Sequence, residues 1–95
     1  MASIHTLHIL NKSPDHPRFQ RCLTALGPED ALMLIENGVL ATTTAGRLAT
    51  VSGQIYALSP DLEARGLQVD DSTFVPVDYE GMVRLTTEAG QVISW

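Results

Sequence analysis

The chain has 95 residues, of which 44% are hydrophobic, and it carries a formal net charge of −5 from 11 acidic and 6 basic residues. This length is that of one small domain with a modest core. The acidic balance argues against nucleic acid as a direct partner, because neutralising phosphates needs clustered lysine and arginine. Here the arginines are scattered and there is a single lysine.

Cysteine content and hydropathy both bear on location. Cys22 is the only cysteine, so the chain cannot form an intramolecular disulfide. The opening residues, MASIHTLHIL, lack the basic region of a signal peptide and are only briefly apolar. No apolar run approaches the ~18 residues that cross a membrane. We therefore expect a cytoplasmic, reducing location and no membrane partner.

The N-terminal quarter predicts a strand followed by a helix. Residues 4–10, IHTLHIL, are rich in Ile and Leu and end at the loop signal NKSP. Residues 16–26 then follow a helical pattern, with Ser13 or Asp15 as the expected N-cap and Pro17 in the first turn. A Gly-Pro pair ends this helix.

The middle of the chain alternates strands with weaker helical segments. Residues 31–35, ALMLI, form a continuous apolar run, which is typical of a strand covered on both faces. Residues 39–52 contain small residues, several threonines and Gly46, and we predict a short, weak helix there. Residues 54–59, QIYALS, predict another strand.

A second clear helix is predicted after this strand, with Ser59 as its N-cap, Pro60 at its first position and Gly66 at its C-terminal end. Residues 74–79, FVPVDY, predict a further strand. Pro76 inside this run indicates an edge position or an irregularity, because proline has no N–H for the ladder.

The C-terminal segment predicts a helix over residues 80–90 that ends at Gly90, and a last short strand over residues 91–95. The resulting β-α-β-α order, with apolar rather than alternating strands, indicates an α/β layered domain with a mostly parallel sheet.

Most motifs of catalysis are missing from the sequence. It has neither a Gly-rich dinucleotide loop nor a phosphate-binding P-loop, and nothing resembles the G-x-S-x-G of serine hydrolases. His5 and His8 are three residues apart on a predicted strand, which directs them to opposite faces. They are therefore poorly placed to share a metal, and we interpret them as polar residues packed at a strand or an interface.

Three blocks of sequence together resemble one family. LHILNKSP stands near the N-terminus, YALSPDLEARGL in the middle and VDYEGMVRLTTEAGQVISW at the end. In this order and at this chain length they resemble the TusB/DsrH family of small sulfur-relay proteins. The resemblance covers essentially the whole chain, so residues 1–95 are interpreted as a single TusB/DsrH-like domain.

The resemblance implies a three-layer α/β/α fold around a five-stranded, mainly parallel sheet. It also implies assembly with TusC/DsrF-like and TusD/DsrE-like subunits into a heterohexamer that passes persulfide sulfur to a TusE/DsrC-like carrier. In the Tus branch this sulfur becomes the 2-thio group of the wobble uridine of certain tRNAs, and in the Dsr branch it belongs to sulfur oxidation. No metal or other cofactor is implied.

Cys22 has two interpretations. Phe19, Cys22, Leu23 and Leu26 follow the i, i+3, i+4, i+7 pattern, which places the thiol on an apolar stripe and favours a core or interface position. The resemblance leaves room for a sulfur acceptor, because DsrH-type members tend to have a cysteine in the first helix. The main sulfur-bearing cysteine of the family, however, is on the TusD/DsrE-type subunit. An arginine one turn away would favour the thiolate only if the sulfur reached solvent.

The predicted interface residues are Tyr79 and Met82, since Tyr and Met are enriched in interface cores, and Trp95, which needs burial either within the chain or against a partner. The alternative is that Met82, Val83 and Leu85 simply pack their helix onto the sheet, and that Trp95 is buried within the chain. Two other functions stay open: a non-catalytic interaction module that forms homo-oligomers, and a stand-alone enzyme. The sequence shows no convergent set of polar residues that would support the latter.

Overall fold

The structure is a computed structural model that describes residues 4–68 and 73–95. Its strands are β1 (Ile4–Leu10), β2 (Ala31–Leu34), β3 (Ile55–Leu58), β4 (Val75–Val77) and β5 (Ala89–Ser94). Its α-helices are α1 (Pro17–Ala25), α2 (Ser59–Ala64) and α3 (Tyr79–Glu88), and two 3₁₀ helices span Glu36–Thr43 and Ala45–Leu48. In the part of the chain described, no helix combines the length and the apolarity that a membrane crossing requires.

The strands form one sheet in the order β4-β3-β2-β1-β5, and every pairing within it is parallel. β1 lies between β2 and β5, with Leu7 opposite Ala31 on one side and Val92 on the other. The predicted α/β class with a mainly parallel sheet is confirmed. β4 is an edge strand, as the proline within it predicts.

Helices cover both faces of the sheet. One buried cluster joins the sheet to α1, α2 and the 3₁₀ helices, and it includes Leu10, Phe19 and Leu62. A second cluster lies beneath α3 and includes Leu7, Met33 and Leu85. Leu32 and Leu34 of β2 belong to the first cluster and Ala31 and Met33 to the second, which is the period-two alternation of a strand covered on both faces. The architecture is therefore three-layered.

The weak helix predicted over residues 39–52 is instead a pair of 3₁₀ helices, the first of which begins earlier, at Glu36. Threonine hydroxyls account for part of this difference. Thr42 Oγ1 donates to the Val39 carbonyl at 2.8 Å, and Thr43 Oγ1 donates to the Leu40 carbonyl at 2.7 Å. Side chains that bond the carbonyls three residues back compete with regular α-helical bonding.

The N-caps predicted for the first two helices were wrong. His16 caps α1, because its Nδ1 accepts the Arg18 N–H at 3.0 Å, while the Ser13 hydroxyl donates to the Asp15 carboxylate. Ser59 is the first residue of α2 rather than its cap.

Of the two glycines predicted to end α2 and α3, Gly66 does so and Gly90 does not. Gly66 follows α2 with a φ of +64°, the left-handed conformation that glycine adopts readily. Asp78 caps α3 by accepting the Gly81 N–H at 2.7 Å. α3 ends at Glu88, and Gly90, predicted to end it, belongs instead to β5.

Gly38 is required for close packing between the first 3₁₀ helix and β1. A Cβ at this buried position would overlap the carbonyl oxygen of Leu10, a backbone atom that cannot rotate away. We expect Gly38→Ala to lower the free energy of unfolding by about 2 kcal/mol. Gly46→Ala is the control, because nothing lies within 4 Å of a Cβ there. Chemical denaturation compares the two variants, and equal stabilities would contradict the packing argument.

Candidate functional site

Cys22 lies in the middle of α1 and points into the first core cluster. Its exposed fraction is 0%, as is that of Phe19, and Leu23 is also buried. Leu26, just beyond the helix, is partly buried against the same cluster. The structure therefore bears out the apolar stripe read from the spacing, with the thiol on its buried side.

Burial also sets the chemistry of this thiol. Desolvation raises the pKa of Cys22 to about 12. Arg18 and Arg21 are exposed, whereas the sulfur is enclosed and does not reach solvent. Neither arginine is therefore placed to stabilise a thiolate at Cys22. The thiol is protonated at neutral pH, whereas nucleophilic sulfur chemistry requires the thiolate. This arrangement favours the core interpretation of Cys22 over the acceptor interpretation.

A partly buried polar network joins three residues that are far apart in sequence. His8, on β1, is 2% exposed. Its Nε2 lies 3.0 Å from Oδ2 of Asp30, and its Nδ1 accepts a hydrogen bond from Nε1 of Trp95 at 3.0 Å. The His8 and Trp95 rings are stacked, with centroids 6.0 Å apart and an interplanar angle of 24°. We call these three residues the His8 network.

Asp30 is the anionic member of the His8 network. Burial raises its pKa, but the opposing effects are larger in sum: a hydrogen bond from the Gly27 N–H, the bond with His8, and electrostatic attraction to His8 and His5 in their protonated forms. The pKa of Asp30 consequently lies below its ordinary value, and the carboxylate is ionised at neutral pH. Its second oxygen is 3.6 Å from Nδ1 of His5.

Trp95 is half-buried and is held by the same chain rather than left free. Its backbone N–H donates to the Ile9 carbonyl at 2.8 Å, and Nζ of Lys12 donates to its carbonyl at 2.9 Å. The indole packs against the first core cluster. Much of the Trp95 side chain is therefore buried within its own chain.

His5 and His8 differ in exposure, as their opposite directions on β1 predict. His5 is exposed and lines a shallow depression of about 260 Å³ together with the segment from Gly27 to Asp30. Both histidines nevertheless approach the Asp30 carboxylate. Within residues 4–68 and 73–95, no group of three or more His, Cys, Asp or Glu residues is arranged to hold a metal ion.

The helix α3 presents one apolar edge to solvent. Tyr79 and Val83, four residues apart, have exposed fractions of 57% and 58%. Leu85 is buried and Met82 is partly buried against the second core cluster. Met82 and Leu85 thus attach the helix to the sheet, whereas Val83 does not. We call Tyr79 and Val83 the outer edge of α3.

Comparisons with known proteins agree on one family. The model of the DsrH family, described as DsrH like protein, matches residues 12–92. Protein TusB of Pectobacterium atrosepticum is 39% identical over 95 residues, and Protein TusB of an Escherichia coli O139:H28 strain is 36% identical over 94 residues. Each comparison covers 94% of this chain and 99% of the relative.

A solved structure shares this fold. The solution NMR structure of Protein Tm0979 from Thermotoga maritima superposes with a TM-score of 0.67 at 26% identity, over 86% of this chain and 91% of that one. The similarity therefore covers most of the fold. The chain belongs to the DsrH-like family, as the resemblance of its three sequence blocks to TusB/DsrH proteins predicts.

Proposed function

We propose that this protein is a subunit of a cytoplasmic sulfur-relay complex that passes persulfide sulfur toward 2-thiolation of the wobble uridine of tRNA. The observation that carries the proposal is similarity over nearly the whole chain to the DsrH family and to proteins named TusB. The TusB names of these relatives favour the Tus branch. The cysteine in the first helix favours the alternative, Dsr-type sulfur oxidation.

The contribution of this subunit is assembly and docking rather than sulfur carriage. Persulfide transfer needs a thiolate nucleophile and an accessible sulfur acceptor. The only thiol of this chain is enclosed in the core, and burial raises its pKa to about 12. The sulfur therefore travels on cysteines of other subunits, and we propose no catalytic residue in this chain.

The proposed partners are TusC/DsrF-like and TusD/DsrE-like subunits, two copies of each joining two copies of this chain, with a TusE/DsrC-like protein as the sulfur carrier. Neither direct nucleic-acid binding nor a membrane forms part of the proposal. The tRNA would meet the sulfur further along the relay, which is consistent with the net charge of −5 on this chain.

We place the docking surface at the outer edge of α3. Tyr79 and Val83 expose apolar area side by side, and tyrosine is a residue type that interface cores favour. Met82, on the same helix, packs against the second core cluster and attaches the helix to the sheet. Trp95 remains an interface candidate through the part of its side chain that reaches solvent.

Co-expression with the paralogous subunits tests this function. We expect the wild-type chain to co-purify with TusC-like and TusD-like proteins at equal stoichiometry, and Val83→Lys to abolish or strongly reduce co-purification because it places a charge in the interface. Gln20→Lys is the matched control, since it adds the same charge at an exposed position of α1, on the opposite face of the sheet.

The outcomes separate the alternatives. A lone homodimer of the wild-type chain without affinity for the paralogues would contradict the relay proposal and support the homo-oligomeric module. Equal losses in Val83→Lys and Gln20→Lys would contradict the docking surface but leave the relay proposal standing. Deletion of the gene is expected to remove 2-thiouridine from cellular tRNA, whereas the Dsr-type alternative predicts unchanged tRNA.

A further inference from the structure

The His8 network has a defined protonation state. The indole N–H of Trp95 can only donate, so Nδ1 of His8 must present a lone pair to it. The imidazole is therefore neutral, and its single proton sits on Nε2, which donates to the Asp30 carboxylate. The Asp30–His8–Trp95 arrangement exists only with this tautomer.

Adding one proton to His8 changes its two hydrogen bonds in opposite directions. The bond from Nε2 to Asp30 becomes an ion pair, and hydrogen bonds between two charged groups are the stronger ones. Nδ1 then carries a proton that faces the indole N–H, so two donors confront each other without an acceptor. At a centroid distance of 6.0 Å the rings lie at the outer limit of cation–π attraction, which offsets little of this loss.

We propose that His8 and Asp30 form a proton-controlled latch for Trp95: neutral His8 holds the indole against the sheet, and protonated His8 stays paired with Asp30 and releases it. Histidine is suited to this role because its charge ordinarily changes between about pH 5 and 8. The inference concerns the isolated chain and does not depend on the relay function.

The charged and titratable groups around His8 contact its Asp30 partner or the backbone of Trp95, and none of these contacts reaches the indole ring. Asp30, from the segment before β2, is the anion in direct contact. His5, on the same strand, faces the other oxygen of that carboxylate, and Nζ of Lys12 donates to the carbonyl of Trp95 and to Oδ1 of Asn11. The backbone bond from Trp95 to Ile9 does not involve His8. The release therefore concerns the indole, with the sheet intact.

Fluorescence measures the latch directly, because Trp95 is the only tryptophan. Between pH 8 and pH 5 we expect the emission maximum to shift to the red and quenching by acrylamide to rise several-fold, while the far-UV circular dichroism stays constant. The wavelength and the quenching constant are followed rather than the intensity, since an imidazolium also quenches a neighbouring indole.

Two variants and one NMR measurement on the wild type test whether His8 controls the indole. His8→Gln supplies a carbonyl for the indole and an N–H for Asp30 without titrating, so we expect a blue-shifted emission at every pH. His5→Gln is expected to keep the wild-type transition. If His8→Gln does not fold, ¹⁵N NMR of wild-type His8 must show a protonated Nε2 and a bare Nδ1 at pH 8. A pH-independent wild-type emission, a transition retained in His8→Gln, or the reverse tautomer would overturn the latch.

Discussion

Native Cys22 is expected to react with a disulfide reagent about a thousand-fold more slowly at pH 8 than the same cysteine in the unfolded chain. The reactive species is the thiolate, and an unperturbed cysteine, with a pKa of about 8.5, is roughly one quarter thiolate at this pH. Burial raises the pKa of Cys22 to about 12, which lowers that fraction by about three orders of magnitude. The rate is followed by release of the coloured thiol, with and without denaturant.

An exposed cysteine on the same helix provides the control. Gln20→Cys combined with Cys22→Ala moves the thiol to the solvent side of α1, and we expect it to react at the rate of a small-molecule thiol. The same pair of proteins, incubated with a persulfide donor, should gain sulfur by intact mass only at the exposed position. Rapid labelling of native Cys22, or added sulfur on it, would restore the acceptor interpretation.

Local patterns in the sequence predict most of the fold. A continuous apolar run predicts β2 and shorter stretches rich in strand-forming residues predict the other strands, the spacing of Phe19, Cys22 and Leu23 predicts the buried side of α1, and Pro76 predicts the edge strand. These features follow from residues within a few positions of one another. The cap of α1 and the 3₁₀ helices were missed because several polar residues compete for the backbone groups there, whereas α2 starts at Ser59 with no side-chain cap at all.

The His8 network could not be predicted in this way. His8 is separated from Asp30 by 22 residues and from Trp95 by 87, and only the parallel placement of β1 between β2 and β5 brings the three together. The sequence contains partial signals of this network. His8 lies inside an apolar strand, Asp30 directly precedes another apolar strand, and Trp95 is a large side chain that needs burial. Predicting that these three residues meet would have required the strand order and register of the sheet.

The stability of this network rests on Asp30. We expect Asp30→Asn to lower the free energy of unfolding at pH 7 by about 2–3 kcal/mol, because it removes the charge from two hydrogen bonds, those with His8 and with the Gly27 N–H. Glu29→Gln removes the same charge from the adjacent, exposed position and should change stability by less than about 0.5 kcal/mol. Denaturant titrations of both variants make this comparison.

The pH dependence tests whether the ionised carboxylate is responsible. The pKa of Asp30 is lower in the folded chain than its ordinary value of about 3.9, so the unfolded state binds the proton more readily. Its contribution is therefore complete above about pH 5 and is lost as the pH falls through the folded-state pKa. The difference between wild type and Asp30→Asn should shrink between pH 4.5 and pH 2. A difference that stays constant over that range would mean that Asp30 stabilises the chain by its shape and not by its charge.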